Sequence, residues 1–252
     1  MPQVFNLASA PATSEYVLRV LTDAHRQQCE FDPETDPDIK LTFETTVADW
    51  RLACGLADWR SLGRALNSWW QIERADAEWR AVLEPAHERR LSGVCEFIAK
   101  SASMPVLPAS SFLGAACYTA SAFRAIRGAS AAAGAPVDQL RPSFSLDPFL
   151  RRYPHVFLAD IARLAPGALP SVKIRLPVCD AAVLGFICCF IAAVVAQWLS
   201  AFALTVLCVL LSAMCYAMIW VAAKCIGLSS VEFGNLKTFR DLAQIIADRR
   251  NR

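Results

Sequence analysis

Apolar positions recur with a helical period through most of the chain. Ser14 and Glu15 open a segment in which Tyr16, Val17, Val20, Leu21 and Ala24 form one stripe, which predicts a helix. Trp59, Leu62, Leu66, Trp69 and Trp70 follow at three- and four-residue steps and mark the face of a second. A third, Ala75–Leu83, begins with Asp76 and Glu78, where acids suit the N-terminal dipole, and stops before Pro85. Leu91, Val94, Cys95 and Ile98 predict a fourth. An alanine-rich helix is expected over 119–134, with Phe123, Ile126 and Ala133 on one side. Another carries Val156, Phe157, Ile161 and Leu164, and a last one runs from Leu236 to Ile246. There Thr238 and Asp241 resemble a capping box with a shortened acid.

The pattern changes at Ala181. From there to Ala223 no side chain is charged, a run twice the ~20 residues that cross a bilayer core as a helix. Gln197, Trp198 and Ser200 divide it, which predicts two antiparallel spans, about 180–199 and 202–223. The expected fold class is mainly α: small soluble helical modules plus a two-helix transmembrane hairpin. Residues 1–14 read as a flexible tail, 15–100 as a helical module and 101–118 as a linker with Pro105 and Pro108. A second module follows over 119–178, then the hairpin at 179–226, and 227–252 as a C-terminal helix that completes the second module.

Charge gives the hairpin an orientation. Arg163, Lys173 and Arg175 precede it, Lys224, Lys237 and Arg240 follow it, and its turn is neutral. Basic flanks on both sides predict a multi-pass inner-membrane protein with both termini cytoplasmic. Trp198, Trp220, Lys173, Arg175 and Lys224 are the expected membrane-interface residues, with the lipid bilayer as partner. Ala192, Ala193 and Ala196 offer a small face through which the hairpin would form a homo-oligomer. The opening residues lack the basic and apolar regions of a signal peptide.

Little in the chain predicts chemistry. A net charge of +2 argues against a nucleic-acid partner. The ten cysteines include no CxxC or Cys/His ligand spacing, so neither a disulfide framework nor a zinc site is expected. His25, His87 and His155 stand outside any HExxH or nucleophile motif, and no glycine-rich phosphate loop occurs. Carboxylates at alternate positions over 30–38 resemble a calcium loop but lack its glycine and closing glutamate, and Pro33 and Pro37 favour an acidic surface loop. No catalytic residue, metal or cofactor is expected. The tryptophans between 50 and 79 read as the large side chains of a small helical core rather than a ligand cage.

The chain also carries a repeat. Arg90–Ile98 and Thr238–Ile246 share one apolar pattern, each closing a unit. In the second unit, the helix over 119–134 followed by Gln139-Leu-Arg-Pro-Ser-Phe-Ser-Leu146 resembles the opening of an acyl carrier protein. In the first, Leu62–Ile72 and Asp76–Trp79 are similar to that family's second and third helices, and Thr238, Asp241 and Leu242 match the start of its last. The resemblance implies two carrier-like helical folds. Neither has the Asp-Ser-Leu that bears phosphopantetheine in carriers; Asp58-Trp-Arg-Ser61-Leu62 is the nearest approach. The expected function is a non-enzymatic, membrane-anchored interaction or scaffold protein that presents helical modules to a protein partner on the cytoplasmic face. Two alternatives stay open: a membrane-perturbing effector that oligomerises its hairpin, and a degenerate acyl-carrier-like protein near lipid synthesis.

Overall fold

The computed structural model describes residues 8–30, 32, 34–56, 58–107, 110–112, 115–175, 177–198, 206, 208–217 and 230–250. They divide into two units, Met1–Lys173 with Phe233–Arg252, and Ile174–Glu232.

The first unit begins with strand β1 (Ala8–Pro11) and five helices: α1 (Ser14–Gln28), α2 (Val47–Ala53), α3 (Trp59–Trp70), α4 (Asp76–Leu83) and α5 (Leu91–Ala99). Strand β2 (Ser103–Val106) then pairs antiparallel with β1, Ala8 opposite Val106 and Pro11 opposite Ser103. Part of the expected tail is thus a strand. Thr13 caps α1 by accepting the Tyr16 N–H, and Asp58 caps α3 by accepting those of Arg60 and Ser61. The predicted stripes face inward: Val17, Leu91, Val94, Cys95 and Ile98 have no exposed surface, and α1 packs on α5. Trp79 is buried with them, its indole N–H donating to Asn67 Oδ1 at 2.9 Å and its ring edge-on to Phe97. Gly63 makes room for it; a Cβ there would lie 2.8 Å from Trp79 Cγ.

A second helical module follows. The hairpin β3 (Ser110–Phe112) and β4 (Ala115–Cys117) leads into α6 (Tyr118–Ala132), then α7 (Leu146–Arg152). A π-helical turn, Val156–Ile161, and a 3-10 turn, Ala162–Leu164, complete the segment. The chain leaves along β5 (Val172–Arg175), passes through α8 (Pro177–Trp198) and α9 (residues 208–217), and returns along β6 (Ser230–Phe233), which pairs with β5. Helix α10 (Phe239–Arg250) then packs on α6. Phe239 and Leu242 have no exposed surface, and Phe149 meets Phe239 edge-on at 5.4 Å.

The two modules share a hydrogen-bonded frame. In the first, Val47 N donates to Arg89 O, Leu91 N to Thr45 O and Ser92 N to Phe43 O. In the second, Leu146 N donates to Lys237 O, Phe239 N to Phe144 O and Arg240 N to Pro142 O. Residues 43, 45 and 47 correspond to 142, 144 and 146, and 89, 91 and 92 to 237, 239 and 240, without a register break. An isolated antiparallel bridge sits at the same place in each, Thr46 to Arg90 and Ser145 to Thr238. Each joins the residue before one short helix to the residue before the closing helix.

The mainly helical class stands, but the transmembrane part of it is corrected. Among the described residues no helix is long and apolar enough to cross a membrane. Asp180 lies in the first turn of α8, and the uncharged helical residues after it, 181–198, span about 27 Å at 1.5 Å per residue. That falls short of a hydrocarbon core of ~30 Å. The two-span hairpin, the integral-membrane class and the multi-pass inner-membrane location with cytoplasmic termini are corrected together.

Candidate functional site

Three arrangements in the structure bring functional groups together. The first joins residues that look unrelated in sequence. His25 and Cys29 lie one turn apart on α1, and Cys54 follows α2. Cys54 Sγ lies 3.3 Å from His25 Nδ1, and Cys29 Sγ lies 3.9 Å from His25 Nε2. Gln28 pins the arrangement from above, its side-chain amide donating to Cys54 O and Asp32 Oδ2. Burial pushes the Cys54 thiol up to about 12, and nearby Cys29 adds to the shift. Burial also raises the Cys29 thiol above its ordinary value, against the lowering effect of a backbone hydrogen bond. A thiol held neutral is a poor nucleophile and a poor metal ligand. Among the described residues no group of three His, Cys, Asp or Glu is placed to hold a metal ion. His25 and Cys54 are buried, and Cys54 belongs to the core of the first module. Its signal in the sequence was only the i, i+4 spacing of His25 and Cys29.

The second arrangement is the seam between the two modules of the first unit. The Arg163 guanidinium lies 4.5 Å from the centre of the Trp70 ring and donates to Trp69 O at 3.1 Å. Tyr16 Oη donates back to Arg163 O at 2.9 Å. Further along α1, Arg26 pairs with the buried Asp23 and donates to Leu169 O and Ser171 Oγ, while Gln27 donates to Pro170 O. Helix α1 thus serves its own core with one face and the second module with another.

The third lies in the second unit. Helices α8 and α9 approach closely at Gly185, where a Cβ would stand 3.3 Å from Cys215 Sγ. Away from that contact, α8 exposes Leu184, Ile187, Phe190, Ile191, Val194 and Val195. Around α9, Val209, Leu210, Met214 and Tyr216 are exposed as well, Leu210 by 63% and Tyr216 by 64%. Soluble surfaces rarely gather so many large apolar side chains unless something covers them.

Of the residues expected at a membrane interface, Lys173 and Arg175 belong to β5 and Trp198 ends α8. Trp220 and Lys224 lie outside the described residues. Of the expected tryptophan core, Trp50, Trp70 and Trp79 are buried while Trp59 and Trp69 are half-buried. Arg60 and Arg80 both lie over the Trp59 ring, at 5.0 and 6.0 Å. Ser61, in the segment nearest to the carrier tripeptide, donates its hydroxyl to Asp58 Oδ2 at 2.7 Å and so belongs to the cap of α3. Searched against protein-family models, curated proteins and solved structures, the chain matches none of them.

Proposed function

We propose that this protein is a non-enzymatic scaffold whose second unit associates with a second copy of itself, bringing pairs of helical modules together. The observation that carries this reading is the apolar surface of α8 and α9, from Leu184 to Val195 and from Val209 to Tyr216. The whole stretch 181–223 is uncharged, so a charged partner finds no complement there, whereas an identical surface does. Stable association needs ~800 Å² from each partner, and two helices lined with Leu, Ile, Phe and Val supply area of the right kind. The two modules on the shared frame would be what the assembly displays to protein partners.

Sedimentation velocity of the full chain across a concentration series tests this. The expected result is a discrete oligomer that Phe190→Glu with Leu210→Glu converts to monomer, with an unchanged helical circular dichroism spectrum. A full chain that stays monomeric at tens of micromolar, or that enters neutral lipid vesicles in place of associating, overturns the reading.

A further inference from the structure

A cavity of about 310 Å³ opens where α1, the end of β2, the turn at 164–166 and α10 meet. It lies within the first unit, at the junction of the two modules, and is separate from the surface used for the scaffold reading. Met104, Val106, Leu164 and Ile246 supply an apolar lining, and Arg19 and Arg249 stand among them. The two helices contribute in the same manner. On α1, Arg19 follows the buried Tyr16 by three residues; on α10, Arg249 follows the buried Ile246 by three. Three residues is the spacing that puts both side chains on one helix face, so each arginine stands over the apolar anchor of its own helix.

Neither arginine has an acidic partner within 4.0 Å among the described residues, and no acid lines the cavity. Two arginines lining one opening favour an oxyanion, which Arg binds through paired N–H donors. The apolar lining beneath favours a hydrocarbon body. The volume equals roughly ten waters at ~30 Å³ each, or an alkyl chain of about eight to ten carbons.

The geometry points to a binding site for a medium-chain alkyl carboxylate, its chain lying against Val106, Leu164 and Ile246 and its head between Arg19 and Arg249. The head alone has no apolar contact, and the chain alone engages neither arginine; Glu15, one turn before Arg19 on α1, attracts that arginine but does not line the cavity. Decanoate therefore gains from both parts, and an uncharged alcohol of the same length only from the apolar lining.

Isothermal titration of the full chain with decanoate, decanol and acetate tests this. Decanoate is expected to bind once per chain, and acetate not at all. Arg19→Gln and Arg249→Gln, both at exposed positions, should each weaken decanoate about tenfold while leaving decanol unchanged. Val106→Phe, which narrows the cavity without touching charge, should weaken both. No saturable decanoate binding would overturn the assignment. So would decanoate affinity that is indifferent to both arginine substitutions, the result expected if the chain merely adsorbs on α8 and α9. Oligomeric state does not enter this readout, so the two proposals fail separately.

Discussion

At the scale of single residues, the informative groups are those whose environment differs most from water. Cys54 and Cys95 are buried, and burial pushes both thiols up to about 12 from an ordinary 9.0. A thiol whose pKa is raised in the folded state stabilises the fold fully below the unfolded pKa, and that contribution is lost as pH rises toward the folded one. Between pH 9 and 12 the unfolded chain releases these protons and the folded chain keeps them. Stability should therefore fall steeply over that window. Cys54→Ala should shallow the fall, as read from urea midpoints at pH 8, 9.5 and 10.5. An equal slope in the variant would mean that Cys54 is not the neutral thiol described here. In the same terms, Cys54 should resist iodoacetamide at pH 8 in the native chain.

At the scale of elements, each module carries a Thr–Asp cap, at the head of α2 in the first and of α10 in the second. Thr46 caps α2: its hydroxyl accepts the Asp49 N–H at 3.1 Å and donates to Asp49 Oδ2 at 2.7 Å. Thr238 accepts the Asp241 N–H at the head of α10, and the Asp241 carboxylate accepts the N–H groups of Lys237 and Thr238. Those backbone hydrogen bonds hold the Asp241 carboxyl below its usual range. Thr46→Ala and Thr238→Ala should each cost about 1 kcal/mol, the ordinary value of an N-cap, read from the urea midpoint. The two caps stand at different places in the shared frame, Thr46 opposite Arg90 and Thr238 opposite Ser145, so a loss at one site only would show that the other hydroxyl does not hold its helix end. The cap of α10 was legible because Thr and Asp three apart carry a local signal. The buried stripe of α5 and the Leu62, Leu66 and Trp70 face of α3 were legible for the same reason, since helical periodicity is local. Strands β1 and β2 were not. Each is four residues long, its partner is nearly a hundred residues away, and Pro11 and Pro105 suppress a strand reading. The site at the seam was hidden for a related reason. Arg19, Met104, Leu164 and Arg249 become neighbours only when the modules pack, and no short window contains two of them.

At the scale of the whole molecule, the second unit interrupts a module that closes without it. Helix α10 belongs with α6, and its Phe239, Leu242 and Ile246 are buried in the first unit, although the whole of α8 and α9 lies between them in the chain. The pairing of β5 with β6 makes this connection feasible: paired strands lie ~4.8 Å apart, so the chain leaves and returns at nearly one point. Replacing residues 174–232 by a short Gly-Ser loop should therefore leave the two-module unit intact. Closing a short loop costs less entropy than closing one of the native length, because that cost grows with loop length. The variant should melt in one cooperative transition, keep its helical spectrum and run as a monomer, since the exposed apolar faces have gone with the insertion. Loss of cooperativity would mean that the α6–α10 packing depends on the inserted unit. A folded variant that still self-associates would move the association surface onto the modules themselves. The three outcomes are separable in one melt and one sedimentation run, because folding and association are read independently. A cooperative melt is the result that the closed frame of residues 142–146 against 237–240 requires, and a monomer the result that the scaffold reading requires.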